Sequence, residues 1–197
     1  MQSSLSKLIL VAATSIAFAT AWPQAVSPVR SRTPHFDLIT TYDEMRTQSV
    51  GGAGFWMSGG RVEVHAKVHS WLGVSVQANE QRIGTQDATP GRDLYWLSAG
   101  PRITETRRDG RWEFFLQALA GEARGAHSIF PCGINFCTTA LSIVAQTGYG
   151  ADMRLSPRLL IRIAEIDWVH TQMPNTLSNS QNSLLLSSGV VFRFGEH

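Results

Sequence analysis

The chain has 197 residues, of which 43% are hydrophobic and 16% charged, with a formal net charge of +2 and two cysteines. That length suits one domain better than two, and the scattered basic residues leave no electrostatic footprint for nucleic acid. Beyond the N-terminus no segment is continuously apolar over the roughly 20 residues a membrane helix needs, so a membrane location would require a β-barrel.

At the N-terminus, Lys7 is followed by the apolar run Leu8 to Phe18 and then by Ala19-Thr20-Ala21. This is the pattern of a secretory signal peptide, and the run is too short for a transmembrane anchor. Residues 1–21 are therefore expected to be a signal peptide, 22–34 a short N-terminal segment, and 35–195 the folded domain.

From His35 onward short apolar and polar steps alternate, which is the period of a strand. The first run, His35 to Met45, sets Phe36, Leu38, Thr40 and Tyr42 against Asp37, Ile39, Thr41 and Asp43. The second, from about Phe55 to Lys67, sets Val62, Val64 and Ala66 against Arg61, Glu63, His65 and Lys67. After the short link Val68 to Ser70, a third strand alternates Leu72, Val74, Val76 and Ala78 with Gly73, Ser75, Gln77 and Asn79. Arg82 to Asp93, with Pro90-Gly91, reads as a loop. The fourth strand sets Tyr95, Leu97, Ala99 and Ile103 against Trp96, Ser98, Gly100 and Arg102.

Asp109-Gly110 marks a hairpin turn. The fifth strand follows, with Trp112, Phe114, Leu116, Ala118 and Ala120 facing one way and Glu113, Gln117 and Gly121 the other. Ala123 to Thr139 reads as a long loop holding Cys132 and Cys137. In an exported protein these two thiols read as a disulfide closing a small loop. Zinc binding is the rival, without a second Cys or His pair at ligand spacing. The sixth strand, Ala140 to Arg154, sets Leu141, Ile143, Ala145 and Tyr149 against Gln146, Gly148, Gly150 and Asp152.

Leu155-Ser156-Pro157-Arg158 is a further short turn, and Leu159 to Thr171 a seventh strand with Ile161, Ile163, Glu165 and Asp167 on one parity. Arg162 breaks the alternation by sharing parity with Ile166 and Trp168, so either a β-bulge shifts the faces or Arg162 lies at a rim. Met173 to Asn182 reads as a loop. The last strand, Ser183 to Gly195, places Leu184, Leu186, Val190, Phe192 and Phe194 on one face. Gly59, Gly60, Gly148 and Gly150 recur inside strands and are expected at sites of curvature.

The whole is expected to be an all-β, eight-stranded antiparallel up-and-down transmembrane β-barrel. Short connections follow strands two, four and six, and longer ones fall between, as in barrels with short periplasmic turns and long extracellular loops. An even strand count returns both termini to the periplasmic side. The mid-strand charges Arg61, Glu63, Lys67, Arg102, Glu113, Asp152, Glu165 and Asp167 are mixed in sign, which suits compensating pairs in a polar lumen. Trp56, Trp112, Trp168, Tyr42, Phe192 and Phe194 are expected near strand ends, where aromatic girdles meet the interface. A solvated sheet face and a soluble core of aromatics are the competing readings of these same patterns.

Several short motifs carry a family resemblance: Gly100-Pro101-Arg102, Gly148-Tyr149-Gly150-Ala151-Asp152, Leu155-Ser156-Pro157-Arg158, Ile166-Asp167-Trp168 and Gly189-Val190-Val191-Phe192-Arg193-Phe194. Together they resemble the outer-membrane β-barrel domain family related to the OmpA-type transmembrane barrel, over His35 to Gly195. The resemblance implies insertion into bacterial outer-membrane lipid by the assembly machinery, which reads an aromatic residue closing the last strand. Phe194, with Phe192 beside it, occupies that place, although Gly195-Glu196-His197 follow it. No second, peptidoglycan-binding domain follows, so no wall-anchoring role is implied.

An eight-stranded barrel is just wide enough to be filled by side chains, so a wide pore is not expected. Catalytic, cofactor and metal-binding motifs are not found. His127 and Ser128 are adjacent, whereas the lipid A deacylase pattern separates such a pair by one position, and a nucleophile needs a base and an orienting group. His65 and His170 read as lumen or rim residues. The leading expectation is a structural or surface-interaction barrel with an extracellular partner carried by its loops. The alternatives are a soluble lipocalin-like barrel binding an apolar ligand and a lipid A-modifying enzyme. If Phe194 carries the assembly signal, Phe194→Ala sharply lowers outer-membrane levels on immunoblots of separated membranes, with periplasmic accumulation. Arg193→Ala should do so less.

Overall fold

The computed structural model describes residues 36–48, 54–83, 92–132, 134–174 and 179–195. The expected signal peptide and N-terminal segment, residues 1–21 and 22–34, lie outside the described residues. Ten strands follow in chain order: β1 (Phe36–Gln48), β2 (Gly54–Lys67), β3 (Leu72–Ile83), β4 (Arg92–Thr106), β5 (Trp112–Ala126), β6 (Phe130–Cys132), β7 (Asn135–Cys137), β8 (Ala140–Arg154), β9 (Leu159–Thr171) and β10 (Gln181–Phe194).

Eight of them close into an antiparallel barrel in the order β1-β10-β9-β8-β5-β4-β3-β2, while β6 and β7 form a separate hairpin. Closure runs from Phe36 opposite Phe194 to Arg46 opposite Leu184. The connections 68–71, 107–111 and 155–158 are short and lie at one end. In the Asp109-Gly110 turn, Gly110 takes a φ of +66° and its N–H donates to the Arg107 carbonyl at 2.8 Å. Only glycine adopts that φ without steric cost.

Two expected loops are shorter than the sequence suggests. Arg82 and Ile83 still belong to β3, Arg92 and Asp93 already to β4, and Ala123 to Ala126 continue β5. In each case polar or small residues hide a strand that continues past the membrane. Twelve to fifteen residues per barrel strand exceed the about 9–11 that a tilted strand needs to cross hydrocarbon.

The polarity is inside out relative to a soluble barrel. Val62, Val64, Val74, Val76, Leu97 and Ile103 are exposed on the outer face, as are Leu116, Ile143, Tyr149, Ile166, Leu186 and Phe192. The inner parity carries buried arginines, carboxylates and amides instead. An apolar belt around a charged interior is the transmembrane arrangement, and it displaces the lipocalin-like reading, in which the interior would be apolar.

The aromatic residues Trp56, Trp168, Phe192 and Phe194 are exposed on the outside, with Trp112 half-buried. Tyr42, expected near a strand end, instead sits mid-strand opposite Gly60 and Ser188. Its hydroxyl bonds Glu44 at 2.5 Å, and Ser58 bonds the same carboxylate at 3.0 Å. Polar outer groups thus begin at this level, because the strands run on beyond the apolar belt on the loop side.

The anomaly at Arg162 resolves as a bulge. Ala151 pairs with Ala164 but Asp152 with Arg162, and Ser187 pairs with Glu165 but Gly189 with Arg162. One extra residue in β9 leaves Ile163 and Ala164 both exposed and turns Arg162, Glu165 and Asp167 all inward. The rim alternative does not hold: Arg162 is fully buried.

Exchanging Arg162 and Ile163 (R162I with I163R) keeps the bulge and turns the arginine toward lipid, at a cost of about 2–4 kcal/mol for an arginine near the midplane. The expected outcome is a lower unfolding temperature, read from the heat-dependent gel shift of the detergent-solubilised barrel. Deleting Ala164, which leaves Arg162 and Glu165 two positions apart and both inward by plain alternation, should unfold close to the parent.

Candidate functional site

Inside the ring the side chains stack in layers from the turn end to the loop end. At the turn end Arg193, on the closing strand, forks onto Asp37 of β1 at 2.8 and 3.0 Å and onto Glu113 of β5 at 2.7 and 2.9 Å. Glu113 also takes Arg154 at 2.6 Å and Lys67 at 3.4 Å. A small apolar cluster of Ile39, Leu160 and Val191 lies beside this group.

The central layer is a continuous ionic network. Glu63 accepts Arg102 at 2.5 Å, Ser75 at 2.7 Å and Arg162 at 3.2 Å. Arg162 forks onto Asp152 at 2.9 and 3.2 Å and reaches Glu165 at 2.7 Å. Arg61 pairs with Glu165 and, at 3.2 Å, with Asp167, and donates to Gln77 at 3.1 Å. The guanidinium groups of Arg102 and Arg162 both lie over the Phe115 ring, 3.6 and 4.3 Å from its centroid. A cation over a ring face is attracted by the negative potential of that face. A side chain at Gly150 would run into that ring and one at Gly148 into the Asp167 carboxylate, so these two glycines make room for lumen groups.

Toward the loop end the lumen ceases to be polar. Trp96 donates its indole N–H to Gln146 at 3.2 Å, and beyond it Met45, Met57, Leu94, Val144, Val169, Met173 and Leu185 form an apolar plug. Phe130 of β6 completes the plug from the hairpin, and Arg92 lies over both the Phe130 and Phe55 rings at 5.8 and 5.7 Å. The polar lumen expected from the mid-strand charges is confined to the layers below the plug. The inner parity of the upper strands is apolar because those positions receive Phe130 rather than a charged partner.

All eight expected lumen charges, Arg61, Glu63, Lys67, Arg102, Glu113, Asp152, Glu165 and Asp167, point inward into these layers. Arg193 points inward as a clamp between first and last strands, so its loss unpairs Asp37 and should cost more than the modest effect expected from sequence. Asp37, Asp43 and Phe115 belong to the same interior and share the inner parity, a signal that was legible. His65 is buried beside Ser75 at 3.1 Å, whereas His170 lies outside, stacked on Trp168. Cys132 and Cys137 are joined as a disulfide that closes the hairpin.

His127 Nδ1 lies 2.7 Å from Asp93 Oδ2. The Ser128 hydroxyl accepts Arg92 at 3.3 Å, so among the described residues it is engaged by a guanidinium and not by a base.

No protein-family profile matches the sequence, and comparison with curated proteins finds no match. Solved structures do share the fold. The surface protein NspA of Neisseria aligns over 81% of this chain and 97% of its own, with a TM-score of 0.66 and 17% identity. Ail, the attachment invasion locus protein of Yersinia pestis, aligns over 82% and 99%, with a TM-score of 0.57 and 14% identity. The outer membrane protein OprG of Pseudomonas aeruginosa aligns over 84% and 98%, with a TM-score of 0.51 and 7% identity.

Arg162→Met leaves Glu63, Asp152 and Glu165 without their shared cation. Breaking a buried pair on one side costs about 3–5 kcal/mol, so the variant's urea midpoint, followed by the same gel shift, should fall well below that of the parent. Phe115→Leu, which keeps the ions paired, should fall less.

Proposed function

We propose that this chain is an outer-membrane barrel of the OmpA-related type whose interior is a sealed support and whose working surface is the disulfide-closed hairpin at the loop end. The fold shared with NspA and Ail and the apolar belt support the membrane location. The observation that carries the surface role is the two-sided hairpin. Phe130 is buried in the plug, while Ile134 is 99% and Phe136 72% exposed a few residues away.

An anchored base and a cross-linked tip hold apolar groups in water at a fixed place, where leaving them exposed is unfavourable unless a partner covers them. The sealed lumen argues for a structural or adhesive role over a conduit, and the engaged Ser128 argues against the lipid A-modifying alternative. Closing a loop of this size removes little unfolded-state entropy, about 2 kcal/mol in the chain-entropy view, so the bridge serves the tip more than the barrel. Assembly rests on Phe194 as the terminal aromatic of β10.

Cells displaying Ile134→Asp with Phe136→Asp should carry normal outer-membrane amounts of the protein and lose retention on an apolar surface. Unchanged retention at equal display would remove the hairpin from this role. Cys132→Ser with Cys137→Ser should keep the heat-dependent gel shift and make the hairpin easier to cleave by protease added outside the cell.

A further inference from the structure

Below the plug the charges that face the lumen do not balance. The central layer sets three arginines against five carboxylates, Glu63, Asp152, Glu165, Asp167 and Asp43. The turn-end group sets Arg193, Arg154 and Lys67 against Asp37 and Glu113. Six cations thus face seven carboxylates, with histidine counted neutral. The carboxylate left over can be named. Asp43 is fully buried and, among the described residues, it alone of the seven belongs to no ion pair. Its oxygens take only Thr41 Oγ1 at 2.6 Å and Gln81 Nε2 at 3.4 Å. Arg61 reaches it only through Thr41, whose Oγ1 accepts Arg61 Nε at 3.3 Å, so among the described residues no cation touches the carboxylate directly, and a buried charge without a direct counter-charge is costly.

Two further side chains at the same level carry unsatisfied oxygens. Ser187 is directly opposite Asp43, Asp43 is opposite Gly59, and Gly59 is opposite Gln81, so the four form one row across β10, β1, β2 and β3. Gly59 puts no side chain into the lumen, which lets Gln81 reach Asp43 across it. The Gln81 Oε1 and Ser187 Oγ atoms have no hydrogen-bond partner among the described residues, at 0% and 5% exposure of their residues. One step toward the loop end, Leu185, Met45 and Met57 continue the row as the floor of the plug. A carboxylate, an amide oxygen and a hydroxyl are therefore carried on one row directly beneath the plug.

No three His, Cys, Asp or Glu side chains converge among the described residues. The set is one carboxylate with neutral oxygens, which suits a hard cation rather than a transition metal. The single excess charge sets the valence. We propose that the row Ser187, Asp43, Gln81 binds a small alkali cation, sodium in type, which neutralises Asp43 and joins the plug to the ionic network.

The test uses the full chain refolded into non-ionic detergent in sodium, potassium, calcium or choline chloride at equal ionic strength, with the temperature of the gel shift as readout. The parent should unfold at a higher temperature in sodium than in choline, because a ligand bound only by the folded state stabilises it by mass action. Asp43→Asn should unfold alike in all four salts, at or above the parent in choline. Ser187→Ala and Gln81→Met, which keep the carboxylate, should need about tenfold more sodium for half the effect, if each removed oxygen costs about 1.4 kcal/mol of binding. Equal unfolding of the parent in sodium and choline would overturn the proposal. So would a sodium effect undiminished in Asp43→Asn, which would place the ions on the surface. Stabilisation by calcium alone would overturn the monovalent assignment.

Discussion

In hydrocarbon no water satisfies a backbone N–H or carbonyl, so a sheet that crosses a membrane must close on itself. Pairing of β1 with β10 meets this constraint, and the rest of the structure depends on it. Closure with eight strands fixes a radius at which inner side chains touch across the axis. The inner parity must then be filled, and the outer parity must match lipid. The alternation of valines and leucines with charged and amide side chains is the chemical form of that demand.

Filling the lumen with ions is not the way to gain the most stability, since desolvating charges offsets much of their attraction. What the network supplies is connection between distant strands. Arg193 ties the closing strand to both β1 and β5, and Arg162 ties β9 to β8 and β2. A register slip in any of these strands would turn an arginine to lipid and unpair two carboxylates inside. The bulge at Ile163 and Ala164 belongs to the same logic, because it brings Arg162 to the inner face together with Glu165 and Asp167.

The loop end follows a different principle. Where the strands rise above the apolar belt, the outer face becomes polar at Glu44, Glu80 and Arg82 while the inner face becomes apolar. The plug therefore resembles an ordinary soluble core, and Phe130 contributes to it from outside the barrel sheet. The hairpin beyond it is fixed at one end by that ring and closed at the other by the Cys132–Cys137 bridge. Its exposed Ile134 and Phe136 are held by packing below them, which is how a short surface element keeps a defined position on a rigid barrel.

Local pattern alone determined much of this protein. The two-residue period gave β8 and β9 their full extents and assigned nearly every residue of β1 to β5 and β10 to its face, because alternation is a property of neighbours in sequence. The short turns after β4 and β8 were legible through Asp109-Gly110 and Pro157, and the link after β2 as a break in the alternation. Tertiary structure decided what depends on residues far apart in the chain. It chose the bulge over the rim for Arg162, since only the carboxylates of β2, β8 and β9 reward its inward turn. It placed Phe130 in the barrel mouth, which no periodicity near Phe130 encodes. It also determined which of the mixed lumen charges pair and which one, Asp43, is left without an ion-pair partner among the described residues. Ion pairing is set by distances across the barrel axis, and those exist only once the sheet has closed.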